Sequence, residues 1–244
     1  MLSKCVAAQP NVVLLSEIDP LSKITLSKND FSPFDLLHHI QVGVRPLPRE
    51  AVEEVFVEYL KGVHKVLNKS GLYCVIRDHT HSHFCVGEDP SSRPTIRDVI
   101  RREVDTKSLV TVRHPIDSFL SLRKNGWVMF EPNTLEEYCI RYLSFLDEYS
   151  SEPIIKYEDF VAQPDQVAEQ MTTILDLSMS PQWKTIVPSI ELTGDSGRSG
   201  KKISPRGRRN VPVDLMKECE SSEAFISLCS RLNYDPAVVH AQAT

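Results

Sequence analysis

The chain has 244 residues, enough for a single domain spanning 1–244 that buries roughly 70–75% of the surface exposed by its unfolded form. Its net charge of -5 argues against general nucleic-acid binding, because that mode requires a basic surface over much of a protein. Six scattered cysteines without Cys-x-x-Cys spacing predict reduced thiols in a cytoplasmic protein, and no apolar run approaches the ~18 residues of a membrane span. We therefore expect neither a membrane nor a nucleic acid as a partner.

The first third of the sequence alternates between helical and strand patterns. A short helix stops before Pro10, because proline disfavours helical backbone in the residue ahead of it. Later, apolar residues recur at steps of three and four over more than twenty positions, which is typical of a long helix with one buried face. In chain order the sequence predicts a helix over 2–8, a strand over 12–15, helices over 33–42 and 47–69, and a strand over 72–76.

The rest of the sequence continues the alternation. It predicts a helix over 96–103, a strand over 108–112, a helix from Pro115, a helix over 135–146, a strand over 153–156, a helix through 167–175, a loop over 193–210 and a last helix over 213–231. Strands that alternate with helices indicate an α/β fold with a mainly parallel sheet. Four strands are few for a doubly wound sheet of this length.

One strand passes into a helix at an arginine. The run 109–112 is apolar and β-branched, Arg113 ends it, and Pro115 suits the first turn of a helix because its missing N–H costs nothing there. Ser118 and Ser121 follow within two turns. Anions bind at such junctions. An arginine paired with a neighbouring acid would give the same pattern without any ligand.

Two later stretches carry polar residues that can be interpreted in two ways. Tyr157-Glu-Asp159 follows the predicted strand 153–156, where it is either a ligand-binding turn or a strand end with solvated acids. Between Arg198 and Arg209 there are six basic residues and no acid, within a glycine-rich stretch. Such a loop can close over a polyanion after binding, or it can be a solvated charged surface.

The segment Val110-Thr-Val-Arg-His-Pro-Ile-Asp-Ser-Phe-Leu-Ser121 resembles the 3′-phosphate motif of sulfotransferases that use 3′-phosphoadenosine 5′-phosphosulfate (PAPS). The resemblance implies that Arg113 and Ser121 bind the 3′-phosphate, since a guanidinium fork matches two phosphate oxygens. It also implies that Tyr157 contacts the adenine. The basic stretch resembles the loop that closes over the same phosphate, and Arg198 is its best match, although the order Arg-Lys-Gly is not reproduced.

A second motif concerns the transfer step. Sulfuryl transfer needs a base for the acceptor proton and cations for the leaving group. Val75-Ile-Arg-Asp-His79 resembles the Lys-x-His motif at the catalytic position of these enzymes, which makes His79 the base and puts Arg77 where the lysine usually stands. Glu17, just after the first strand, is an alternative base.

The same stretch also permits a metal interpretation. His79, His81 and His83 would lie on one side of the chain if the segment were extended. No nearby carboxylate or cysteine pattern completes a metal site, so we expect no metal.

The resemblance implies a P-loop-like, three-layer α/β fold, and this sequence departs from it at one place. The first strand and the glycine/serine loop that cradles the 5′-phosphosulfate are absent, and the first glycine is Gly43. Two explanations are open: the missing parts belong to an upstream extension, or the chain is a variant that has lost the 5′-site. We favour the first, because a gap inside a parallel sheet leaves buried backbone groups unpaired.

The sequence therefore predicts a PAPS-dependent sulfotransferase whose acceptor is the hydroxyl or amine of a small molecule. A catalytically inactive nucleotide-binding or partner-binding remnant of the fold is one alternative. A nucleotide or small-molecule kinase is another, but the sequence contains no Gly-x-x-x-x-Gly-Lys-Ser/Thr, and Asp78 is the single candidate Mg²⁺ ligand after a strand.

Overall fold

The computed structural model describes residues 1–22, 24, 35–87, 89–192, 203–204 and 210–237. Arg198 and most of the predicted basic loop lie outside these residues. The elements in chain order are α1 (Leu2–Ala7), β1 (Val12–Ile18), α2 (Leu36–Val42), α3 (Arg49–Lys69), β2 (Tyr73–Asp78), α4 (Thr80–Phe84), α5 (Ile96–Arg101), β3 (Val110–Val112), α6 (Pro115–Asn125), α7 (Leu135–Glu148), β4 (Ile154–Lys156), α8 (Tyr157–Ala162), α9 (Pro164–Leu175), α10 (Trp183–Ile186), α11 (Val213–Ser221) and α12 (Glu223–Arg231).

The strands form two parallel pairs, which confirms the predicted α/β class. β1 pairs with β2, and β3 pairs with β4. In the described part of the chain no strand joins β2 to β3, so the sheet consists of two separate ribbons. The register of β1 shifts between Ser16 and Ile18, where Glu17 adopts a left-handed backbone with φ of 57°.

Helices cover both faces of the β1–β2 ribbon and give the predicted three layers. On one face Val12 and Val75 pack against a cluster that includes residues of α1 and α9. On the other face Leu15 and Ile76 pack against α3 and α5. Successive strand residues point to opposite faces, so a nearly continuous apolar strand suits this two-sided burial.

A further cluster holds the β3–α6 junction in place. Residues of α6, α7 and α12 form it, with Ile116, Leu135, Phe225 and Leu228 fully buried. α6 begins at Pro115 and ends at Gly126, whose φ of 68° is a left-handed conformation that glycine adopts at low cost. The start of this helix at Pro115, two residues after Arg113, is as predicted from the sequence.

Two elements differ from the prediction. The segment 80–84 forms a short helix, α4, which the sequence pattern did not predict. The last predicted helix, 213–231, is interrupted at Ser222, whose side chain accepts a hydrogen bond from the Phe225 N–H (3.0 Å) and starts α12. Among the described residues, no helix combines the length and the apolar composition needed to cross a bilayer.

Candidate functional site

The three residues predicted for the transfer step lie together at the carboxyl ends of β1 and β2. The register places Ser16 beside Arg77, and the Arg77 guanidinium reaches the Glu17 carboxylate at 2.5 Å. The His79 N–H donates to the Ile18 carbonyl (3.3 Å), so His79 stands at the start of α4 next to this ion pair. The sequence motifs predict the roles of these three residues in transfer. The parallel pairing of β1 with β2 brings the residues close together.

The histidines after β2 differ in their surroundings. His81 lies 6.3 Å from His79 between ring centroids, and burial, with a smaller contribution from the positive charge of His79, lowers the pKa of His81 to about 4. The His83 Nε2 is 2.8 Å from the Pro90 carbonyl, and its ring stacks on Phe84.

The premise of the metal interpretation is therefore wrong, because 80–84 is helical and not extended. Within a helix a step of two residues turns a side chain by about 200°, so alternate residues do not share a side. In the part of the chain that the structure describes, no group of three or more potential ligands could hold a metal ion.

Asp78 also lies at this site, although the sequence analysis considers it only as a candidate Mg²⁺ ligand of the kinase alternative. Its carboxylate accepts a hydrogen bond from the Tyr149 hydroxyl (2.7 Å), and burial raises the pKa of Asp78 to about 6. The Arg97 guanidinium lies 4.3 Å from the centroid of the Tyr149 ring. The sequence could have indicated that Asp78 has different surroundings from Arg77, because successive residues of β2 point to opposite faces of the sheet.

A second set of polar contacts fixes the end of β1 against α4. Arg93 donates two hydrogen bonds to the Asp19 carboxylate, at 3.0 and 2.6 Å, and the Ser82 hydroxyl bonds to the same carboxylate. The Asp19 side chain is only 2% exposed. Bidentate pairing of this kind is geometrically specific, so it holds the segments that carry Glu17 and His79. No sequence signal predicts it, because Asp19 and Arg93 are 74 residues apart.

Two of the residues predicted to bind PAPS meet at the ends of β3 and β4. The register pairs Val112 with Lys156, so Arg113 and Tyr157 are the next two residues side by side. The Arg113 guanidinium carbon lies 5.4 Å from the centroid of the Tyr157 ring. This is within the distance at which a cation is attracted by an aromatic face.

The backbone at Arg113 is held by groups that the sequence analysis missed. The Tyr142 hydroxyl lies 3.3 Å from the Arg113 N and 3.4 Å from its carbonyl oxygen. The Glu158 carboxylate accepts from the His114 N–H (3.1 Å) and from the Tyr234 hydroxyl (2.6 Å). Glu158 therefore links three separate parts of the chain behind Arg113.

The two serines of α6 are both half-buried but have different neighbours. The Ser118 hydroxyl interacts with the hydroxyl of the buried Tyr138. Ser121 is half-buried, and its carbonyl accepts from the Asn125 side chain (2.9 Å). It lies six residues after Pro115, roughly 9 Å along the helix axis. Of the two serines at this junction, Ser121 is the one we retain as a candidate ligand.

A cavity of about 800 Å³ lies between the two ribbons. Glu17, Arg77 and His79 line it, together with Val110 and Thr111 of β3. Arg113, Ser121 and Tyr157 are not among the lining residues. The structure thus brings the transfer residues together and brings Arg113 to Tyr157, but leaves these two groups on different ribbons. Arg198, the fourth predicted PAPS ligand, lies outside the described residues.

Comparison with known proteins gives one structural similarity. No family model matches the chain, and no curated protein matches it. Among solved structures, the chain is similar to a sulfotransferase domain from the curacin biosynthetic pathway, with 16% sequence identity and a TM-score of 0.46. The similarity covers 75% of this chain and 68% of that domain.

Proposed function

We propose that the protein transfers a sulfuryl group from PAPS to the hydroxyl or amine of a small acceptor. The observation that carries the proposal is the contact of the Arg113 guanidinium with the Tyr157 ring, directly before α6. A fork of N–H donors beside an aromatic face matches a ligand that carries a phosphate and a purine. Ser121 adds a hydroxyl donor on the same helix, and Arg198 adds a cation if its loop closes over the phosphate.

The transfer residues support the same chemistry. The acceptor oxygen or nitrogen forms a bond to sulfur while the bond from sulfur to the phosphate oxygen breaks, and the acceptor proton passes to His79. The leaving group is 3′-phosphoadenosine 5′-phosphate, and Arg77 stabilises the negative charge that develops there. Glu17 is already paired with Arg77, which favours His79 over Glu17 as the base.

Ligand binding tests the nucleotide half of the proposal. We expect 3′-phosphoadenosine 5′-phosphate to raise the unfolding temperature of the protein and this shift to disappear in Arg113→Ala. The matched control is Arg123→Ala, an exposed arginine of the helix that follows Arg113, which pairs with Asp214 at 3.5 Å and should keep the shift. Equal stabilisation by ATP would favour the kinase alternative.

The separation of the two residue groups favours one second candidate, the inactive remnant. A site divided between two unpaired ribbons can bind a nucleotide without performing transfer. Measuring sulfate transfer from PAPS to phenolic, sugar and amine acceptors distinguishes the two functions. Tight nucleotide binding without transfer to any of them would support the remnant.

A further inference from the structure

The long helix α3 has an apolar ridge on its exposed side. The members of this ridge follow one another at steps of four, three and four residues, which keeps them on one side of the helix: Val55, Tyr59, Gly62 and Val66. Tyr59 is 60% exposed and Val66 is 64% exposed, whereas the opposite side of α3 packs into the core around Phe56. The apolar ridge therefore faces solvent and not the rest of the chain.

A charged ridge runs beside the apolar ridge at the same spacing. It consists of two acids followed by two lysines: Glu54, Glu58, Lys61 and Lys65. Lys61 pairs with Glu58 at 2.7 Å, but in the part of the chain that the structure describes the exposed side chains of Glu54 and Lys65 form no hydrogen bond or ion pair. Neither of these two residues lies in the first or last turn of α3, so the helix dipole does not account for their order.

The glycine in the middle of α3 is not required by the fold of a single chain. Glycine in the interior of a helix lowers its stability relative to alanine, because glycine loses more conformational freedom on folding. A Cβ added at Gly62 would meet no atom within 4 Å, and the backbone there is helical. Neither backbone conformation nor packing within the described chain therefore requires glycine. The close approach of another molecule at this point of the helix would require it.

The apolar ridge is complementary to itself when two copies of α3 lie antiparallel. A two-fold axis perpendicular to the plane of the two helices lays each ridge against the same ridge of the second copy in reverse order. Tyr59 then lies against Gly62 of the second copy, so a large ring meets a residue without a side chain. In the same register Val55 lies against Val66 of the second copy.

The charged ridge is complementary to itself in the same arrangement. Glu54 and Lys65 of the second copy are then about 3 Å apart along the helix axis, within reach of such long side chains. The two-fold axis repeats this pair, so two new ion pairs form. A parallel helix pair would set each of these charges against its own copy, which is repulsive. The charges therefore favour a second copy of this chain, in the antiparallel direction.

We propose that this face of α3 binds a second copy of the chain in an antiparallel, two-fold helix pair. A helix of 21 residues is about 31 Å long and about 10 Å wide, so each copy covers roughly 300 Å², less than the roughly 800 Å² per partner of a typical stable complex. The homodimer is therefore weak and reversible, with a dissociation constant on the order of 100 µM. This proposal does not depend on sulfuryl transfer.

Charge reversal tests the direction and register of the helix pair. Sedimentation equilibrium of the intact protein, from about 10 µM to about 1 mM, measures the dissociation constant. We expect Lys65→Glu to weaken the dimer by at least about tenfold, because two attractive pairs become repulsive. The double variant Glu54→Lys with Lys65→Glu restores opposite charges and returns the affinity to within about threefold. The matched control is Lys124→Glu, an exposed lysine of α6, which leaves the affinity unchanged.

Gly62 provides a second readout. We expect Gly62→Leu to weaken the dimer by at least about tenfold, because its side chain occupies the space that receives Tyr59 of the second copy. Gly62→Ala should raise the unfolding temperature of the monomer, which shows that the glycine is not kept for the stability of one chain. A protein that stays monomeric at about 1 mM, or a dimer that both Lys65→Glu and Gly62→Leu leave intact, would overturn the proposal. Failure of the double variant to restore the affinity would overturn the antiparallel pairing.

Discussion

His79 and Glu17 each carry a group that can accept a proton at the site. Their contacts in the structure favour His79 as the base. The Glu17 carboxylate is paired with Arg77, whereas His79 stands free of that ion pair at the start of α4. We expect His79→Ala to reduce sulfate transfer by about 10²- to 10⁴-fold with little change in nucleotide affinity, the effect of losing a general base. Turnover and binding are measured separately for each variant.

Glu17→Gln is the comparison for that prediction. It weakens the orientation of Arg77, so we expect a smaller loss of turnover than in His79→Ala. A larger loss in Glu17→Gln, together with near-normal turnover in His79→Ala, would make Glu17 the base.

Asp78 makes stability depend on pH in a direction opposite to most carboxyl groups. Burial raises its pKa from 3.8 to about 6 in the folded protein, so the native state holds this proton where the unfolded chain releases it. Its contribution is complete below about pH 4 and is lost as pH rises to about 6. The loss is on the order of 3 kcal/mol.

The variant Asp78→Asn tests this contribution. The free energy of unfolding of the variant and of the parent protein is measured between about pH 4 and neutral pH, and the two are subtracted. We expect the free energy of unfolding of Asp78→Asn, relative to that of the parent protein, to be lower near pH 4 than at neutral pH. Tyr149→Phe is the control, since the Tyr149 hydroxyl lowers the pKa of Asp78. Its removal should move the transition to higher pH. A difference between Asp78→Asn and the parent that stays constant with pH contradicts the assignment.

At the scale of elements, the break between α11 and α12 depends on one side chain. Ser222 is 4% exposed, caps α12 through the Phe225 N–H and also bonds to Glu136 of α7. We expect Ser222→Ala to lower the free energy of unfolding by about 1–2 kcal/mol, the usual cost of a lost N-cap. Denaturant unfolding measures it.

The adjacent Ser221→Ala is the matched control. Its hydroxyl bonds to the Lys217 carbonyl on an exposed turn, so the change should stay within about 0.5 kcal/mol. Equal losses from both variants would mean that the Ser222 cap does not stabilise α12.

The same helices show which element bounds can be predicted from sequence patterns and which cannot. Pro115 begins α6 through a local backbone preference, which is why the start of this helix could be predicted. The break at Ser222 could not be placed, because apolar residues continue at helical spacing on both sides of it. α4 was missed because five residues are too few to show a helical period.

At the scale of the whole molecule, the sequence indicates candidate motif residues, whereas their arrangement in space depends on the fold. The proximity of Arg113 to Tyr157 follows from the parallel pairing of two predicted strands. The support of that arginine by Glu158 and Tyr234, and the division of the sheet into two ribbons, depend on contacts between distant parts of the chain. No local pattern encodes such contacts.

The division into ribbons makes a prediction about coupling between the two residue groups. Arg77 and Arg113 belong to different, unpaired ribbons, so their effects on affinity for 3′-phosphoadenosine 5′-phosphate should be independent. In a double-mutant cycle, Arg77→Ala and Arg113→Ala should add within about 0.5 kcal/mol. Arg113 contacts Tyr157, so Arg113→Ala and Tyr157→Leu should deviate from additivity by more than about 0.5 kcal/mol.

Binding calorimetry of the four proteins in each cycle measures both coupling energies under one set of conditions. The Arg113 and Tyr157 cycle is the internal control, because it establishes that the method detects a contact. Strong coupling between Arg77 and Arg113 in the protein alone would contradict the independence of the ribbons.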